Sequence, residues 1–297
     1  LPCSNATALT NTTMGGPHEN RRKGLPVFLR IAFALPIFFA ALMTTAAQAH
    51  EYYLLPQTFT AKVGDTVPVS HKLGQRFNGN EMPYVGIWNV RSEQWNPTGM
   101  VPVNGLDGDR PALQVKITEP GTTVIVHQSN IDKLTFSTWE KFKDYAVKEG
   151  LDHAVEATLQ SDKPKDMLRE GYSRFAKTLV VTEGDTESLD RPTGLKIELV
   201  ALANPNALGA TEPMPVQVLL DGKPLPGVMV KLFTGIDTEA SHRILTDADG
   251  KAAIPAGGPG PYLLNAIHMS EPQSDGLAEQ GVHWESFWAS LTFARPN

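Results

Sequence analysis

The sequence predicts a mainly β chain. It divides into two antiparallel β-sandwiches, over residues 50–185 and 194–297, the first with a helical insertion at about 137–170. Three observations predict this. Short runs rich in β-branched and aromatic residues recur between Gly and Pro, at the roughly 10–15-residue spacing of antiparallel sandwiches. One stretch alone changes to helical periodicity. Between the halves, residues 184–193 (GDTESLDRPT) are polar and linker-like. A length of 297 residues fits about two domains at ~150 residues each.

The elements follow in order. Thr66-Val67-Pro68-Val69 follows the turn Gly64-Asp65. Tyr84–Val90 (YVGIWNV) is aromatic and β-branched, Leu113–Ile117 alternates apolar with polar, and Thr122–His127 (TTVIVH) has the look of a buried strand. Ser137 with Glu140 has capping-box spacing, and Trp139, Phe142, Tyr145 and Ala146 recur at helical intervals. Leu151, Val155 and Leu159 form a second, shorter stripe. Tyr172–Thr182 returns to strand. In the second half, Leu195–Ala201 and Val216–Leu220 are strands, and Asp221-Gly222 is a tight hairpin turn. Val228–Phe233 alternates, Thr246–Gly250 turns, and Ala252–Ile254, Pro261–Met269 and Trp288–Phe293 complete the set.

The first 49 residues have the order of an export signal. Met14 is the expected translation start. Arg21, Arg22, Lys23 and Arg30 form a positive region, and Ile31–Met43 is apolar. Ala47-Gln48-Ala49 then supplies small residues around a cleavage point, so residues 14–49 are a secretory signal peptide. The apolar run is shorter than the roughly 20 residues of a spanning helix and contains Pro36. No membrane span remains after cleavage. The Arg21-Arg22 pair lacks the apolar residue that twin-arginine export wants, so ordinary export is expected. The protein is then periplasmic and begins with His50.

Cleavage removes four of the 26 basic and one of the 32 acidic side chains, taking the net charge from −6 to −9. It also removes the one cysteine, Cys3, which excludes a disulfide scaffold and any cysteine-built metal cluster. An acidic chain without a basic patch is no nucleic-acid binder. There is no Gly-rich phosphate loop, nucleophile elbow or kinase motif, and catalysis is not implied.

His50 carries the strongest chemistry. A free α-amine and an imidazole on one residue chelate a metal through two nitrogens, and the amine's ordinary pKa near 7.7–8.0 makes its deprotonation cheap. Such donors suit Ni(II), Co(II), Cu(II) and Zn(II). Further ligands must come from His71, His127, His153, His242, His268 and His283. No two have the i, i+4 spacing of a helical pair and there is no H-E-x-x-H, so distant strands must assemble the site. His268, which ends an apolar strand before Met269, ranks first; His71 and His127 follow. His153 and His242 are expected at the surface, and His283 in a loop. Glu170, Tyr172, Arg174 and Lys177 cluster on one strand. Tyr172 and Arg174 share a face and could bind an anion or pair with neighbouring acids. Asp247 and Asp249 open like a calcium loop, but the other ligands are missing, so they belong to a hairpin turn.

Two resemblances add to this. Residues 216–268, with VQVLLDGKPLPGVMV, TDADGK and PGPYLLNAIH, resemble the prealbumin-like or carboxypeptidase-regulatory-like sandwich, an Ig-like class of architecture. The start HEYYLLP, HQSN, KFKDYAVKEGL, EGYSRFAKTL, and the ending HM with WESFWASLTF together resemble the exported family called domain of unknown function 4198, over about residues 50–297. Some of its members carry names of nickel or cobalt uptake components. The resemblance implies a periplasmic Ni(II) or Co(II) binder, accessory to uptake, with a membrane metal permease as partner and the His-Glu start as part of the pattern. A metal-free interaction or carrier module of the envelope is the alternative. A copper histidine-brace oxidase, which shares only an N-terminal His and a β-sandwich, is the third reading.

Overall fold

A computed structural model describes residues 51–74, 77–235, 240 and 242–296. The expected signal peptide, Cys3 and His50 lie outside these residues. All described residues belong to one compact unit.

The centre is a ten-stranded sheet. Its main path runs β15 (His242–Leu245), β14 (Met229–Thr234), β17 (Gly260–Ser270), β18 (Trp284–Arg295), β10 (Leu168–Thr182), β8 (Thr122–Ser129), β5 (Asn89–Asn96) and β6 (Gly99–Pro102). The short β2 (Thr60–Ala61) and β9 (Asp132–Phe136) also pair with β10. A second sheet joins β1 (Glu51–Pro56), β3 (Thr66–Gly74), β4 (Asn80–Met82) and β7 (Leu113–Lys116). A third joins β11 (Ile197–Ala201), β12 (Met214–Leu220), β13 (Lys223–Pro224) and β16 (Lys251–Ile254). The mainly β, sandwich-type architecture expected from the sequence is present.

Strand alternation shows how the layers stack. In β8, Val124 and Val126 pack with the third sheet, whereas Ile125 between them packs with the second. In β10, Phe175 and Leu179 face the third sheet, and Ala176 and Val180 face the second. Successive side chains leave a strand on opposite faces. The two smaller sheets therefore cover opposite faces of the large one. Burial on both faces explains why these strands are apolar runs rather than clean alternations.

The halves of the chain share the central sheet. β10 and β18 pair in parallel from Glu170↔Trp284 to Thr178↔Thr292. This departs from the wholly antiparallel pairing expected. The linker is fastened to the same strand. Lys177 of β10 is fully buried, with its Nζ 3.0 Å from Asp190 and 3.5 Å from Glu198. Asp190 also accepts from the Ala201 amide, and Glu198 from the amides of Thr193 and Gly194. Burial raises the Asp190 carboxyl above its ordinary range, with Lys177 pulling the other way.

The insertion is a helix pair, α1 (Trp139–Glu149) and α2 (Asp152–Leu159). Phe142, Tyr145, Ala146, Ala154 and Val155 pack on Ile267, Met269, Trp284 and Trp288 of β17 and β18. The cap is Thr138, not Ser137. Thr138 is extended and its side chain accepts from the Lys141 amide, so the residue three beyond the cap is Lys and no capping box forms. Gly150 ends α1 in the left-handed region, φ 75°. The expected strand at Tyr84–Val90 is also corrected. Gly86–Trp88 is a 3-10 turn between β4 and β5, closed by Trp88 N–H donating to Val85 O. The turns in the second half match expectation. Asp221 and Gly222 both have positive φ, 50° and 71°, as a two-residue type I′ hairpin requires. Asp247 accepts from the amides of Asp249 and Lys251.

Candidate functional site

Four strands of the second and central sheets face each other across an aliphatic core. In β3 the inward row is Val67, Val69, then His71; in β8 it is Ile125, then His127. In β10 it is Val180, Thr178, Ala176, then Arg174 and Tyr172; in β1 it is Leu54, then Tyr52. Each row changes from mostly aliphatic to polar or aromatic at its next inward positions. The changes converge at one end of the sandwich, where a cavity of about 510 Å³ opens between the layers. Tyr52, His71, His127, Tyr172 and Arg174 line it, with Ser129 and Asp132. Its apolar wall includes Leu73, Met82, Pro83, Val85 and Ile131, and at its rim Trp88 is 53% exposed.

The two histidines form a pair. Their ring centroids are 4.7 Å apart, and each residue is only 3% exposed. Tyr52 packs on both rings, at 5.7 Å from His71 and 5.0 Å from His127. His71 Nε2 and His127 Nδ1 are buried and have no hydrogen-bond partner. A buried, unpaired ring nitrogen is costly and leaves room for a water, an ion or another ligand as its partner. Burial lowers the His71 pKa to about 4. His127 is lowered well below its ordinary range, by burial first and then by the charges of His71 and Arg174. Both rings are therefore neutral near pH 7, the form that binds a metal.

Arg174 sits over two rings, 4.7 Å from Tyr172 and 5.8 Å from Tyr52. Its amide donates to Ser129 Oγ, and Tyr172 donates to Asp132 at 2.9 Å. Of the two uses expected for Arg174, the described residues supply no ion pair. The rest of that sequence cluster is dispersed. Glu170 lies among Tyr145, Ser286 and Trp288, and Lys177 points to the opposite face.

The other predicted ligands lie elsewhere. His268, on β17, stacks on His153 of α2 at 6.2 Å and is not in the cavity lining. His153 is exposed, with Nε2 2.9 Å from Met269 O. His242 is exposed, and His283 accepts from the Arg169 amide in the loop before β18. Sequence reasoning missed Tyr52 and Trp88. For Tyr52 the available signal was its place in an inward row shared with Leu54. Among the described residues, no three His, Cys, Asp or Glu side chains are grouped to hold a metal. No helix among them is long and apolar enough to cross a membrane.

Solved structures similar to this chain include three with TM-scores of about 0.2. The D0-D1 domain of intimin is 13% identical, covers 82% of this chain and 97% of its own, and has a TM-score of 0.19. A tetra-tandem repeat from the extending region of a large adhesion protein is 11% identical, with 83% and 49% covered and a TM-score of 0.20. The BSP domain of a biofilm-associated protein is 12% identical, with 81% and 29% covered and a TM-score of 0.19. No curated protein matches the chain. The model of the family described as a domain of unknown function (DUF4198) matches residues 47–270, and the chain belongs to that family.

Proposed function

We propose that this is an exported, periplasmic protein that binds one transition-metal ion, Ni(II) or Co(II) in first place, as an accessory to metal uptake through a membrane permease. His71 and His127 supply two imidazoles. His50, the first residue after the signal peptide, supplies its amine and its own imidazole. The observation that carries this reading is the facing histidine pair with an orphaned nitrogen on each ring. The pair alone falls short of a full coordination set, and in this reading His50, two residues before Tyr52 in the sequence, completes it. Neutral imidazoles and an amine suit Ni(II) and Co(II), and also Cu(II) and Zn(II).

The test is calorimetric titration of the four metals into protein purified after export, its N-terminus read by mass spectrometry. Parallel samples carry one extra Gly before His50, His71→Gln or His127→Gln. One-to-one binding is expected. The extra Gly and each Gln should weaken it about tenfold or more, the scale on which even supporting residues change metal affinity. Equal, weak binding in all four samples overturns the proposal and leaves a metal-free interaction module as the better account.

A further inference from the structure

The cavity is far larger than a metal ion. Its volume of about 510 Å³ is that of a small-molecule site, and much of its wall is apolar. Arg174 is the charged group on that wall that calls for a ligand. Among the described residues, the more deeply buried cations are satisfied. Lys177 meets Asp190 and Glu198, Lys231 meets Glu51 and Glu149, and Arg295 donates to the carbonyls of Glu212 and Gly209. Arg174 instead lies over the rings of Tyr52 and Tyr172, and no described carboxylate forms an ion pair with it. A guanidinium held by cation–π contacts can still turn its fork of donors to a planar anion. Asp132, hydrogen-bonded to Tyr172 on the same wall, disfavours a second negative charge. That points to a carboxylate rather than a phosphate dianion.

We propose that Arg174 anchors the carboxylate of a small organic acid that enters this cavity, and that the metal arrives as that acid's chelate. The second half rests on the metal reading above; the first half does not. The apolar wall selects an acid with a flat or apolar body. Arg174 and the orphaned nitrogens of His71 and His127 line the same cavity, so one ligand can meet the guanidinium through its carboxylate and the imidazoles through its metal.

The probe is picolinate, a planar aromatic carboxylate that chelates Ni(II). Exported, processed protein is titrated with Ni(II), with picolinate, and with their one-to-one complex. The variants are Arg174→Gln and Arg174→Lys, and quenching of Trp88 at the cavity rim gives a second readout. The complex is expected to bind about tenfold tighter than Ni(II) alone, the scale of one charge-assisted bidentate pair. Arg174→Gln should remove that gain, so that the complex and Ni(II) alone bind with similar affinity to the variant. Arg174→Lys, which keeps the charge but loses the fork, should retain part of it. An absent gain, or a gain that survives Arg174→Gln, overturns the inference while the metal reading stands. Arg174-dependent picolinate binding with no nickel uptake overturns the metal reading and keeps the anchor. No binding of any probe overturns both.

Discussion

Glu170→Gln should change how stability depends on pH, and the size of the change follows from its surroundings. Glu170 lies in β10 on the face covered by α1. It accepts hydrogen bonds from Tyr145 at 2.9 Å and from Ser286, and its other oxygen is buried without a partner. Burial pushes its pKa up to about 7 from an ordinary 4.5; the donors Ser286, Tyr145 and Trp288 oppose the rise and the charge of Glu149 adds to it. The folded protein thus holds this proton more tightly than the unfolded chain does. Below pH 4.5 both states are protonated and the contribution to stability is complete. Between pH 4.5 and 7 the unfolded chain loses the proton first, so stability falls as pH rises. Above pH 7 the loss levels off at about 3 kcal/mol, from 2.5 units at 1.36 kcal/mol each. Gln replaces the protonated carboxyl and does not titrate. Urea unfolding followed by tryptophan fluorescence at pH 4.5, 6, 7 and 8 measures the difference between variant and wild type. That difference should move toward the variant by about 3 kcal/mol across the range. A difference constant to within about 0.5 kcal/mol would show that Glu170 is not held protonated, and would refute the reasoning.

Two further variants test the frame around the site. Lys177→Met leaves Asp190 and Glu198 buried without their cation and should cost about 3–5 kcal/mol in urea unfolding. A loss under about 1 kcal/mol would mean that the linker is not held to β10 by this triad. Thr138→Ala should cost about 1 kcal/mol by removing the cap of α1, while Ser137→Ala stays within about 0.5 kcal/mol. The reverse ranking would restore the capping box at Ser137.

Local chemistry was legible and long-range pairing was not. The runs at 113–117, 122–127, 216–220, 228–233 and 261–269 coincide closely with β7, β8, β12, β14 and β17, because their side chains alternate or run apolar as buried strands must. Asp221-Gly222 was legible because its conformation needs residues that tolerate positive φ. Tyr84–Val90 has the composition of a strand, but Gly86 and the exposed Ile87 and Trp88 turn there instead. The parallel partnership of Thr178 with Thr292 left no trace, since periodicity within a strand does not name its neighbour.

The site follows the same division. His71 and His127 were each identifiable as polar residues on apolar strands, but nothing local places β3 across from β8. His268 has the same local pattern at the end of β17, and there the fold supplies His153 and α2 rather than a cavity. What separates the two cases is the company along each inward row. Val67 and Val69 lead to His71, Ile125 to His127, Leu54 to Tyr52, and Ala176 to Arg174, and the four rows belong to two sheets held apart by one core. Their aliphatic parts fix the spacing of the layers before any ligand arrives. The imidazoles are therefore placed by packing that does not depend on any ligand, as the proposed site requires. Depth separates the roles of these side chains. His71 and His127 are buried beside the core and can be rigid ligands, whereas Arg174 is half-buried nearer the mouth and can meet a ligand as it enters.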